Sequence, residues 1–185
     1  MSTRTVARTT VKGSGFILLA FLGILCASTA FAAPVGFNGS YDYATWTFST
    51  NLPPPLTTFS VIDGPQQTLT LYEPDGASLG GPDMEGWYNF SHTVETSGTV
   101  SFDWAFNWDT DACCSGFNFY INSTLYNLAN GYPGNPSNNN GGDVSGSFSA
   151  LVNAGDVITL QAYTADNCCR AANTVITNFD APSGG

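Results

Sequence analysis

The stretch Thr99–Trp108, TVSFDWAFNW, admits one regular conformation. Val100, Phe102, Trp104, Phe106 and Trp108 occupy every second position, with Ser101, Asp103, Ala105 and Asn107 between them. Side chains of a strand point alternately to its two faces, so this period gathers the large apolar groups on one side of a sheet. A helix would scatter them around its circumference. One apolar and one polar face is the pattern of an antiparallel sheet with one side in water.

Shorter versions of the pattern recur. Phe117, Phe119 and Ile121 alternate, as do Ile158, Leu160 and Ala162, and Leu69 with Leu71. Tyr88, Phe90 and Val94 share a face in the same way, and Val175 and Phe179 are expected to share another. DGPQ, EPDG, LGGPD, TSG and NAGD separate these runs as turn signals. No stretch beyond residue 32 sustains a helical period. Many short strands with regular turns specify an all-β fold, a single antiparallel β-sandwich of jelly-roll type. The Asn/Gly/Pro-rich stretch 129–143 reads as an exposed loop, and NLPPPL near residue 53 as a stiff connector.

Arg4, Arg8 and Lys12 precede the apolar run FILLAFLGILCASTAFA, which ends in Ala30-Phe31-Ala32. A basic start, an apolar centre and an A-x-A end define a secretory signal peptide over residues 1–32, with cleavage after Ala32. Leu25 before Cys26 argues against lipidation there, because a small residue is required at that point. The expected mature chain, 33–185, is one domain with no membrane insertion. The full chain carries a formal net charge of −10, and cleavage leaves Arg170 as the only basic residue against fourteen acidic ones. Such a surface repels phosphate backbones and anionic lipid, which excludes nucleic acid as a partner.

Catalytic chemistry finds little support. His92 is the only histidine and shares a strand face with Phe90 and Val94, so it reads as a packed side chain. Triads and His-rich zinc sites need more than that. Glu73, Glu85 and Glu95 are the only glutamates, each in or beside a turn, and nothing in the sequence pairs the carboxylates for glycoside hydrolysis. The expectation is a protein that is not an enzyme.

Two vicinal cysteine pairs remain after signal removal, Cys113–Cys114 in DTDACCSG and Cys168–Cys169 in TADNCCRA. Four cysteines in an exported chain read as two disulfides with three possible connectivities. Should strand 99–108 neighbour strand 174–180, the two loops meet and bridges between the loops are expected. Asp109 and Asp111 precede one pair, and Asp166 and Asn167 the other. Converging carboxylates with Arg170 as the sole countercharge form a candidate calcium site.

From Trp46 to Pro182 the chain resembles secreted bacterial β-sandwich proteins of the PEP-CTERM, exosortase-sorted type. The matching pieces are WTFSTN, GTVSFDWAFNWDT, FNFYINSTLYNL, GSFSALVNAGDVITLQAYTADN and TVITNFDAP. No sorting tail follows APSGG within the sequence, and the cysteine pairs stand where relatives carry ordinary residues. The resemblance implies a location in the bacterial cell envelope or extracellular matrix and little chemistry. The expected function is therefore a non-catalytic, secreted, disulfide-stabilised envelope or matrix protein. The alternative is a carbohydrate-binding module recognising extracellular polysaccharide, with Tyr41, Tyr43, Trp87, Tyr120, Tyr126 and Tyr132 as candidate stacking rings.

Overall fold

The alternating stretch forms a ten-residue strand, Gly98–Asn107, whose Val100, Phe102, Trp104 and Phe106 are all buried. The computed structural model describes residues 36–53, 61–63, 68–73, 85–107, 115–130, 143–164 and 172–184, all within the unit Ala32–Gly185. The strands in chain order are β1 (Thr47–Thr50), β2 (Val61–Asp63), β3 (Leu69–Tyr72), β4 (Gly86–Thr93) and β5 (Gly98–Asn107). They continue as β6 (Ser115–Ile121), β7 (Thr124–Asn130), β8 (Val144–Val152), β9 (Val157–Thr164) and β10 (Asn173–Asp180). Two 3-10 turns, Gly39–Tyr41 and Tyr43–Thr45, precede β1.

Two five-stranded antiparallel sheets result. The front sheet runs β1-β4-β9-β6-β7 and the back sheet β2-β3-β10-β5-β8. Chain neighbours such as β4 and β5 lie in different sheets, which gives the sandwich its jelly-roll character. Apolar side chains from both inner faces meet between the sheets, as two layers with one wet side each require. Phe102 of the back sheet lies edge-on to Phe119 of the front sheet at 5.1 Å and stacks on Phe148 at 5.3 Å. Phe179 stacks on Phe37 at 4.6 Å and touches Tyr41 and Trp46. Each fully buried ring contributes about 1.5–3 kcal/mol by leaving water.

Two sequence expectations need correction. Val175 does not share the inner face with Phe179; Thr174 and Ile176 are buried, and Val175 faces outward. The reason is a bulge: the register between β10 and β5 shifts between Thr177 and Asp180, and Asn178 sits there at φ 51°. One extra residue reverses the alternation, so Phe179 turns inward after an even-numbered run. The expected loop 129–143 also begins too early, because Ala129 is buried in β7 opposite Phe117.

The turn signal NAGD joins β8 to β9, with Gly155 at φ 89°, where a side chain would be strained. Asp156 accepts from the Asn153 backbone N–H, and Asn122 in the β6–β7 turn donates to the same carboxylate. These contacts fasten two turns at one end of the sandwich. At the segment flanks, Glu73 is buried just after β3 and its Oε1 accepts from Ser115 Oγ and the Ala172 backbone N–H, both at 2.7 Å. His92 points inward, with its ring 4.8 Å from that of Tyr41 and 5.4 Å from that of Trp46.

Candidate functional site

The outer face of the front sheet follows from the same alternation. Tyr88 and Phe90 turn inward on β4, so Trp87, Asn89 and Ser91 face out. Phe117 and Phe119 turn inward on β6, leaving Asn118 and Tyr120 outside; on β9, Leu160 and Ala162 leave Thr159, Gln161 and Tyr163. Strand register then sets these residues in rows. Asn89 faces Gln161, Gln161 faces Asn118, and Asn118 faces Asn127. Trp87 faces Tyr163 on one side of that row. Ser91, Thr159, Tyr120 and Leu125 form the row on the other.

The amide row is joined by hydrogen bonds that all run in one direction. Asn127 Nδ2 donates to Asn118 Oδ1 at 2.9 Å, and Asn118 Nδ2 to Gln161 Oε1 at 2.8 Å. Gln161 Nε2 completes the series by donating to Asn89 Oδ1 at 2.8 Å, while the Tyr120 hydroxyl also donates to Gln161 Oε1 at 3.2 Å. Hydrogen bonds in a chain polarise one another. Here the polarised row ends in the amide N–H groups of Asn89 and the amide carbonyl of Asn127, neither engaged by another side chain or backbone group among the described residues. Asn118 and Gln161 are each 7 % exposed and form the floor; Trp87 and Tyr120 are half-buried beside them. On the neighbouring row, Ser91 and Thr159 share a hydroxyl–hydroxyl bond at 2.8 Å.

The five strands of the front sheet contain no Asp, Glu, Lys or Arg. The back sheet differs: on its outer face Asp103 accepts from Ser147 Oγ and Asn178 Nδ2. The Ser147 hydroxyl, then the Asn178 amide, hold the Asp103 carboxyl below its ordinary value. The Asn153 backbone N–H, followed by Asn122, does the same for Asp156 at the turn.

Of the rings expected to stack on sugar, Trp87 and Tyr120 lie on the front face. Tyr41 and Tyr126 do not, and this corrects the sequence expectation. Tyr41 is fully buried, donates from its hydroxyl to the Pro182 carbonyl, and has its pKa raised by that burial. Tyr126 packs against Phe148 at 4.9 Å and Phe119 at 6.3 Å. Both were misplaced because a tyrosine, on a 3-10 turn or on a strand, reads alike whether its ring faces water or core. Tyr43 is exposed on the second 3-10 turn, outside the rows.

Tyr132, the four cysteines Cys113, Cys114, Cys168 and Cys169, and the candidate calcium ligands Asp109, Asp111, Asp166 and Asn167 lie outside the described residues. Sequence reasoning missed Asn89, Asn118, Asn127, Gln161 and Tyr163. Their signal was present as the polar half of each alternation, but only strand order shows that they adjoin.

These features define a jelly-roll β-sandwich with an uncharged amide-and-aromatic face. No family model and no curated protein matches the sequence. Among solved structures the chain is similar to TmCBM61, determined in complex with β-1,4-galactotriose, at 9 % identity and a TM-score of 0.44, over 83 % of this chain and 97 % of that one. It is also similar to a family 35 carbohydrate-binding module from Clostridium thermocellum, at 7 % identity and a TM-score of 0.36, over 72 % and 92 %. A CBM35 from Paenibacillus barcinonensis matches at 15 % identity and a TM-score of 0.29, over 71 % and 98 %.

Proposed function

We propose that this protein is a secreted, non-catalytic carbohydrate-binding β-sandwich that holds extracellular polysaccharide on the outer face of its front sheet. The observation that carries this is the amide row Asn89–Gln161–Asn118–Asn127, open at a donor end and an acceptor end, flanked by Trp87 and Tyr120. A sugar ring presents hydroxyls that both donate and accept, and an apolar C–H face. Amides meet the first need and half-exposed aromatic rings the second, which is the composition expected of a site that orients a polar ligand over an apolar surface.

The face favours the second of the two sequence expectations over the purely structural envelope role. Secretion rests on the N-terminal signal, and N-terminal sequencing of exported protein checks it: the first residue should be Ala33. The binding test is retention of mature protein on a panel of immobilised polysaccharides, compared with Trp87→Ala. Binding that the substitution abolishes supports the assignment. A mature protein retained on no member of the panel refutes it.

A further inference from the structure

Resting on that assignment, we infer that the ligand is an uncharged, linear glycan that lies across the strands along the amide row, and that polyuronates and other anionic polysaccharides are rejected. Charge is the first ground. The chain carries fourteen acidic residues, yet none stands on any strand of the front sheet. Selection of a carboxylated or sulfated sugar requires a cationic partner, because a buried anion without one is costly. The five strands of the front sheet supply none, and the acidic remainder of the surface repels such a chain as it approaches.

Direction is the second ground. Within the amide row the series of hydrogen bonds starts and stops at two defined places, the N–H groups of Asn89 on β4 and the carbonyl of Asn127 on β7. From β4 to β7 the row crosses three strand gaps of about 4.8 Å each, about 14 Å in all. A ligand that meets both ends is longer than a single pyranose ring and runs perpendicular to the strands. The interior of the row, Gln161 and Asn118, is nearly covered and already bonded, so it serves as a rigid floor. Trp87 and Tyr120 lie on opposite sides of this line and confine the chain between them.

The experiment is isothermal titration of mature protein with two matched series. One series holds neutral oligosaccharides of increasing length (β-glucan, galactan, mannan and xylan fragments), and the other oligouronates. The expected result is binding to at least one neutral series that strengthens from monosaccharide to oligosaccharide and is insensitive to added salt, with no binding to oligouronates. Trp87→Ala should weaken it by about tenfold or more, as loss of a stacked ring does at a binding hot spot. Asn127→Ala and Asn89→Ala should each cost affinity for the oligosaccharide, whereas Ser147→Ala on the opposite sheet should cost none. Thermal melts confirm that each variant is folded; Trp87, half-buried and outside both core clusters, keeps the test decisive if an amide variant unfolds.

Binding to oligouronates alone, or neutral binding that is as tight for a monosaccharide as for a longer chain, overturns the inference while leaving the carbohydrate assignment standing. Binding to neither series overturns both.

Discussion

Glu73 should prove one of the least replaceable polar residues in the chain. Its carboxylate, 5 % exposed, receives the Ser115 hydroxyl and the Ala172 backbone N–H, each at 2.7 Å. Ser115 opens β6 in the front sheet, and Ala172 precedes β10 in the back sheet, so one side chain just after β3 links both layers. Glu73→Ala leaves two buried donors without their acceptor, at about 1–3 kcal/mol each. Relief from burying a carboxylate offsets part of this. The net expectation is a loss of about 2–5 kcal/mol, or a fall in Tm of about 5–15 °C for a domain of this size. Glu73→Gln keeps a carbonyl oxygen for the two donors and should cost less than half as much. Urea unfolding of the oxidised mature protein, analysed with an unchanged m-value, measures both. The reasoning is refuted if Glu73→Ala lies within about 0.5 kcal/mol of wild type, the ordinary range for a surface change, or if the glutamine variant is as damaging as alanine.

Phe179→Ala empties the place where Phe37, Tyr41, Trp46 and Phe102 converge, and should cost about 3–5 kcal/mol in the same assay. Asp103 is held below its ordinary value of 3.8, so it contributes stability that is fully present above that pH and lost as pH falls through the lower folded value. Melting curves between pH 7 and pH 2 should show the gap between wild type and Asp103→Ala closing across that acidic window. Asn107 faces Asn173 and Ser115 faces Thr164, so the flanks of the two cysteine-bearing segments are neighbours. We therefore propose two bridges linking Cys113 and Cys114 to Cys168 and Cys169. The first closes about 55 residues, worth about 4 kcal/mol in the chain-entropy account, and a vicinal Cys113–Cys114 link in non-reducing peptide maps would exclude the arrangement. The calcium proposal at Asp109, Asp111, Asp166 and Asn167 anticipates a higher midpoint with calcium than with chelator; equal midpoints remove it.

Binary alternation was enough to specify six of the ten described strands, β3, β4, β5, β6, β9 and β10, whereas β1, β2, β7 and β8 were not read from it. Phe102 and Trp104, Phe117 and Phe119, Leu160 and Ala162 all turned inward as their period of two requires, because burying one face of a pleated strand is a local property of the chain. The polar partners of those residues were legible as outward-facing by the same rule. Alternation failed at Phe179, where Asn178 adopts a left-handed conformation that no neighbouring residue type demanded. It was also mute about Tyr41 and Tyr126, since a tyrosine satisfies either environment.

The candidate site belongs to the second category altogether. Asn89, Asn118, Asn127 and Gln161 are contributed by four strands, and Asn89 and Gln161, which bond to each other, are 72 residues apart in the chain. Nothing local makes an isolated asparagine on a strand part of a polarised row. That depends on β9 inserting between β4 and β6, and on a register in which a one-residue slip would send every amide into the core. Along unbroken alternating strands the sequence by itself determined which side chains face water; pairing between distant strands decided which of them stand together, because hydrogen bonds across a sheet join residues by register and not by distance along the chain.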